Sequence, residues 1–100
     1  MDPIAPNTEF HLIPECFSVR TSGREIALTP TQFRLLAVLV SEPGRVFSRA
    51  ELVQWTLSTT VAERTVDVHI KELRHKLEPQ EWRVQTFSGL GYCFLDEPAG

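Results

Sequence analysis

Cysteine is scarce in this chain. Cys16 and Cys93 are the only two, far apart and without Cys or His neighbours at metal-ligand spacing. That pattern suggests neither a zinc site nor a disulfide framework, and the expectation is two buried, reduced thiols. Long hydrophobic runs are also missing. The longest, Leu35 to Val40, falls far short of the roughly 18 residues that suggest a membrane span. The N-terminus, MDPIAPNTE, lacks the basic and apolar regions of a secretory signal, so the expected location is cytoplasmic, with no membrane partner. No phosphate-cradling glycine loop is present, and no spacing sets a nucleophile beside an oriented base. Neither an enzyme nor a cofactor is expected. Positive charge is in deficit too: 10 Lys and Arg against 13 Asp and Glu give a net charge of -3. That balance argues against a nucleic-acid partner unless the basic residues are concentrated in one place.

The 100 residues have room for one domain with a single core. Residues 1–9 hold two prolines and no periodic pattern, and read as a tether. From Phe10 to Leu28 the sequence is β-rich and broken by Pro14 and by the Ser22-Gly23 turn signal, which predicts a small antiparallel meander of about three strands. Pro14 confines its neighbours to an edge or a bulge. Thr29-Pro30-Thr31-Gln32 is a capping box with proline at the first helical position, and Leu28 and Phe33 stand where a hydrophobic staple would close over it. The helix it opens carries an apolar stripe of Phe33, Leu36, Ala37 and Val40, and Glu42-Pro43-Gly44 stops it. Ser48-Arg49-Ala50-Glu51 repeats the device, with Phe47 and Leu52 as staple, and opens a shorter helix reaching about Trp55. Thr60-Val61-Ala62-Glu63 is a third capping box, without an apolar staple.

The third helix, about 61–77, is the informative one. At about 100° per residue, Val66, Ile70, Leu73 and Leu77 fall within a sector of about 60°. Arg64, Val68, Lys71 and His75 centre on the opposite side, with Thr65 and Glu72 on one flank and Asp67 and Arg74 on the other. So narrow a stripe predicts a helix that lies on the core and leaves most of its circumference free. Asp67, four residues before Lys71, is expected to support the helix as a charge pair. Glu78-Pro79 ends the helix. Two β-prone runs between Trp82 and Leu95 then flank Ser88-Gly89-Leu90-Gly91, a hairpin with glycines where positive φ is needed. Two helices, an amphipathic third and a hairpin are the plan of a winged helix-turn-helix. The expected fold is thus α+β: a small N-terminal antiparallel sheet, three helices and a C-terminal β-hairpin wing over 10–96, with 97–100 as a tail. In this plan the third helix enters the major groove of DNA, about 12 Å wide.

Three stretches, LTPTQFRLLAVLVSEPGRVFSRAEL, RTVDVHIKELRHKL and VQTFSGLGYCF, closely resemble the C-terminal effector domain of OmpR/PhoB-type response regulators. The resemblance runs from about Phe10 to Leu95. It implies a two-component transcription regulator that binds double-stranded DNA at direct repeats, head to tail, with helix 61–77 in the major groove and wing 84–95 toward the minor groove. It also implies a receiver domain preceding such a unit, so that the chain reads as either the effector half of a longer protein or a stand-alone relative. Matched position by position, the family pattern assigns Arg64, Thr65 and His69 to phosphates. Val68, Lys71, Glu72 and His75 take groove-facing positions, and Arg74 and Lys76 the rims. Arg49, Thr86, Ser88, Gly89 and Tyr92 complete the expected DNA-binding set. Val68 suits a thymine methyl, while His69, near the edge of the apolar stripe, reads equally as a structural histidine.

Charge placement answers the objection raised by the acidic total. Arg64 to Lys76 carries a surplus of +2, and the remainder of the chain -5. Glu72 nevertheless stands where relatives often have arginine, Ser88 where the wing is typically arginine, and Cys93 where a basic residue is frequent. Fewer cations release fewer counterions, so affinity and salt dependence should be lower than in a typical relative. Glu72 either accepts a hydrogen bond from cytosine N4 or marks a domain that no longer relies on DNA. The alternative function is then a winged-helix protein-interaction module. The loop 54–63, which in relatives contacts RNA polymerase, is about two residues short and lacks the usual Trp-Gly pair. A repressor and an activator using another contact both fit.

Overall fold

Local hydrogen bonding sets where each helix begins. The structure, a computed structural model, describes residues 9–56 and 63–98. Helix α1 (Pro30–Ser41) opens on the expected capping box: Gln32 N donates to Thr29 Oγ1 at 3.1 Å and Thr29 N to Gln32 Oε1 at 3.0 Å. Helix α2 (Arg49–Thr56) opens on the second, with Glu51 N donating to Ser48 Oγ at 3.1 Å and Ser48 N to Glu51 Oε1 at 2.9 Å. Each box satisfies two amides that have no partner inside the helix. The Ser48 amide in turn holds the Glu51 carboxyl below its ordinary range. Of the third expected box, residues 60–62 lie outside the described residues. Glu63 makes no side-chain cap, and α3 runs Arg64–Leu77.

Ahead of α1, strands β1 (His11–Ile13), β2 (Ser18–Thr21) and β3 (Arg24–Ala27) form the antiparallel meander in the order β1-β2-β3. Ser22 and Gly23, both at positive φ, make its two-residue turn between Thr21 and Arg24, the geometry that follows the twist of paired strands. Pro14 opens a 3₁₀ turn, Pro14–Cys16, at the end of the edge strand β1. Cys16 therefore sits on the surface, with Sγ donating to Ser18 Oγ at 3.3 Å; the expectation of a buried thiol fails there and holds for Cys93.

The second sheet departs from expectation by one strand. Strands β5 (Val84–Phe87) and β6 (Gly91–Phe94) form the hairpin, but β4 (Val46–Phe47) pairs with the other edge of β6, giving the order β4-β6-β5. β6 is thereby central, and all four of its residues are buried. Its first residue explains the Gly91 of the motif. A Cβ there would lie 1.9 Å from the Phe47 carbonyl oxygen, at a φ of +146°. Only glycine allows β4 to approach so closely. Gly91→Ala is expected to destabilise the domain by more than about 2 kcal/mol, read as a drop in the thermal midpoint, whereas Gly89→Ala, with open space around it, should cost less.

The core lies between α1, α3 and this sheet. Val66, Ile70, Leu73 and Leu77 of α3 are all buried as the stripe predicted. In α1, Leu35 and Leu39 are fully buried beside Phe33 and Leu36, while Ala37 and Val40 are only partly covered. α1 is thus apolar over more than the one stripe expected, because α2, α3 and β6 all pack against it. Burying each such side chain contributes roughly 1.5–3 kcal/mol. No described helix is long and apolar enough to cross a membrane.

Candidate nucleic-acid interface

One face of α3 is left largely uncovered by the described residues. Its 14 residues rise about 21 Å, and Arg64, Val68, Lys71, Glu72 and His75 are exposed along it, Val68 by 55%. An apolar side chain so exposed on a polar face is left largely uncovered by the described residues. The helix is held at the right angle to present this face by ties on both flanks.

On the hairpin flank, Arg74 Nε donates to the Val84 carbonyl at 2.8 Å and its guanidinium to Thr86 Oγ1. Arg74 also lies 5.7 Å from the centre of the Tyr92 ring. The side chain expected at the rim of a groove is therefore turned onto β5, where its planar fork spans two acceptors. Asp67 is the second tie. The sequence paired it with Lys71, but its Oδ1 accepts from Arg49 Nε at 2.8 Å and from the Tyr92 hydroxyl. One carboxylate thus joins the start of α2, the first turn of α3 and β6. The Tyr92 hydroxyl, followed by Arg49, holds the Asp67 carboxyl below its ordinary range, against the opposing effect of burial. This depressed acid stabilises the fold above the unfolded value of 3.8, and that contribution is lost as pH falls through the lower folded value.

The remaining expected residues divide by placement. Ser88 and Gly89 form the exposed hairpin tip with Leu90, and Thr86 is exposed on the strand leading to it. Tyr92 is only 4% exposed: on the central strand it points beneath α3, and burial together with Asp67 pushes its hydroxyl pKa upward. It holds the helix rather than facing solvent. Arg49 is half-buried and engaged by Asp67, which raises its pKa. Thr65 and His69 are half-buried, and His69 Nδ1 is buried without a hydrogen bond among the described residues. His75 Nδ1 lies 3.6 Å from the Glu78 carboxylate.

The opposite flank was not foreseen. Gln32, only 1% exposed, reaches from the α1 capping box to α3, accepting from Lys76 Nζ at 2.8 Å and donating Nε2 to Glu72 Oε1 at 3.3 Å. The capping motif signalled the helix start, and nothing in its spacing signals a partner forty residues on. Glu72, Lys71, Lys76 and Val68 line the same open depression along α3, of about 820 Å³.

A helix bared along one face, backed by two helices and flanked by a β-hairpin, defines a winged helix-turn-helix. The chain belongs to the family described as "Transcriptional regulatory protein, C terminal", whose model matches residues 23–94. It is 43% identical over 88 residues to the phosphate regulon transcriptional regulatory protein PhoB of Rhizobium meliloti, and 41% identical over 86 residues to the transcriptional regulatory protein CseB of Streptomyces avermitilis. The aligned segments take in 84% of this chain in both cases but only 39% and 36% of those proteins, so the chain spans about two-fifths of the curated relatives it matches. Among solved structures it is similar to the DNA-binding domain of the response regulator AdeR in complex with an intercistronic region (TM-score 0.78, 28% identity, 89% of this chain and 96% of that one). It is also similar to the RstA DNA-binding domain of Klebsiella pneumoniae in complex with the RstA box (TM-score 0.71, 27% identity, 89% and 93%).

Proposed function

We propose that this domain binds double-stranded DNA sequence-specifically as a transcription regulator of response-regulator type, with α3 in the major groove and the β5–β6 wing toward the minor groove. The observation that carries the proposal is the bared face of α3, polar except for Val68 and richer in cations than the rest of the chain. Residues 10–96 form the DNA-binding unit, residues 1–9 a tether and 97–100 a tail. Lys71, Val68, Glu72 and His75 face base edges, and Arg64, Thr65, His69 and Lys76 serve the phosphates. Arg49, Arg74 and Tyr92 position the helix and wing, and Thr86, Ser88 and Gly89 present the wing to the backbone. The expected sites are direct repeats occupied head to tail by a cytoplasmic protein. A receiver domain, where the chain is the effector half of a longer protein rather than a stand-alone relative, and RNA polymerase are the further partners proposed.

One observation favours a second reading, a protein-docking winged helix. The wing tip carries Leu90 at 64% and Phe87 at 41% exposure, with no cation between them. Selection of bound duplexes from a random library at low salt separates the two. Recovery of a motif, above all two short direct repeats about one helical turn apart, supports DNA reading; retention of no duplex sinks it. The wing has its own test. Ser88→Arg is expected to tighten duplex binding several-fold and steepen the salt slope by about 0.9, the increment of one phosphate contact. A slope equal to that of the unaltered chain would mean that the wing tip does not reach the duplex.

A further inference from the structure

We infer that Glu72 selects cytosine at one position of the bound site and that Gln32 is the positioning residue that aims it. This rests on the DNA-binding reading above and names what that surface reads.

A glutamate on an exposed helix face ordinarily samples many rotamers and loses that freedom on binding. Glu72 is restrained before any ligand arrives. Its Oε1 accepts from Gln32 Nε2 at 3.3 Å, and Gln32 is itself immobile: buried, accepting from the Thr29 amide at 3.0 Å and from Lys76 Nζ at 2.8 Å through Oε1. The second carboxylate oxygen makes no hydrogen bond among the described residues. Glu72 lines the same open depression as Val68 and Lys71.

A carboxylate can only accept hydrogen bonds. In the major groove the donors are cytosine N4 and adenine N6, and adenine sets the acceptor N7 beside its donor, which repels a second oxygen; cytosine carries no acceptor on that edge. A guanine or thymine at the same place would present an acceptor to an acceptor. A carboxylate fixed by one oxygen and offering the other is therefore a cytosine reader. It rejects the other bases by repulsion as much as it attracts the right one. Lys76, bound to the same Gln32 oxygen, offsets the negative charge that Glu72 would otherwise bring to a phosphate-rich surface.

The test is the motif selected from random duplexes by the 100-residue chain and by three variants, with thermal midpoints measured alongside. The unaltered chain is expected to show a cytosine position with about tenfold discrimination. Glu72→Ala should lose that position alone. Glu72→Gln, an amide suited to adenine N6 and N7, should move the preference there to adenine. Gln32→Glu keeps the acceptor for the Thr29 amide but removes the donor that holds Glu72, so it should make the same position degenerate while the rest of the motif survives. An identical motif from the unaltered chain, Glu72→Ala and Glu72→Gln overturns the inference while leaving DNA reading intact. Retained cytosine preference in Gln32→Glu overturns the positioning role. No motif from the unaltered chain overturns the DNA-binding reading and this inference with it.

Discussion

Arg74→Ala lowers duplex affinity by about ten- to a hundredfold and the thermal midpoint by several degrees. The side chain donates to the Val84 carbonyl and to Thr86 Oγ1, so its loss frees the wing from α3 at two points. Hydrogen bonds from a charged donor contribute about 1.5–3 kcal/mol each in favourable cases, and the partly exposed setting of Arg74 brings the two together down to about 1 kcal/mol. Each kcal/mol moves the midpoint of a domain this size by roughly 4–8 °C. Arg74→Lys is expected to recover little, because a point ammonium cannot span both acceptors as the planar guanidinium does. Parallel duplex titrations and thermal scans of the two variants check this. An affinity and a midpoint both unchanged in Arg74→Ala would mean that the wing needs no tie to the helix.

Arg83→Ala should produce the largest loss of stability, about 3 kcal/mol or more, lowering the thermal midpoint by more than about 10 °C. Arg83 is 1% exposed. It donates to Gln80 Oε1 at 2.7 Å and to the carbonyls of Leu95 and Asp96, each at 3.1 Å. Its guanidinium also lies 4.8 Å from the Phe10 ring centre and 4.7 Å from that of Trp82. Burial pulls its pKa down and Asp96 offsets part of that. Truncation leaves the Gln80 oxygen and two carbonyls without their donor and opens a void. Gln80, which also donates to Thr21 Oγ1 and Ser22 Oγ at 2.9 Å each, would lose its orientation, loosening the N-terminal sheet from the end of α3. Arg83→Met, which fills the space without the bonds, should lose less. A midpoint within a degree or two of the unaltered chain in Arg83→Ala would refute this account of the junction.

What could be read from the residues was what depends on neighbours in sequence. The Thr29 and Ser48 boxes marked two helix starts because a cap acts over three residues. The stripe from Val66 to Leu77 marked the buried side of α3 because one helix presents one face to one core. β4 was missed because two residues cannot carry a period of two, and its existence follows from Gly91 admitting Phe47, a contact between distant positions. Asp67 was assigned to Lys71 by spacing, yet Arg49 and Tyr92 reach it first. Tyr92 was placed in the expected DNA-binding set, yet β4 makes its strand central and buries it. Arg83 carried no sequence signal that singled it out. Gln32 had a complete explanation as a cap, which hid its reach to Glu72. In each of these the deciding partner comes from another element, and local pattern carries no information about it.

The central claim is that the bared face of α3 meets a phosphate backbone, and the salt dependence of duplex binding tests it most directly. With the selected duplex, the logarithm of the association constant should fall linearly with the logarithm of salt concentration. The expected slope is about -3, reflecting three or four phosphates at about -0.9 each, shallower than a fully arginine-studded relative would give. A slope near zero, or no duplex binding at the lowest salt, would contradict the account and assign the exposed face of α3 to a protein partner.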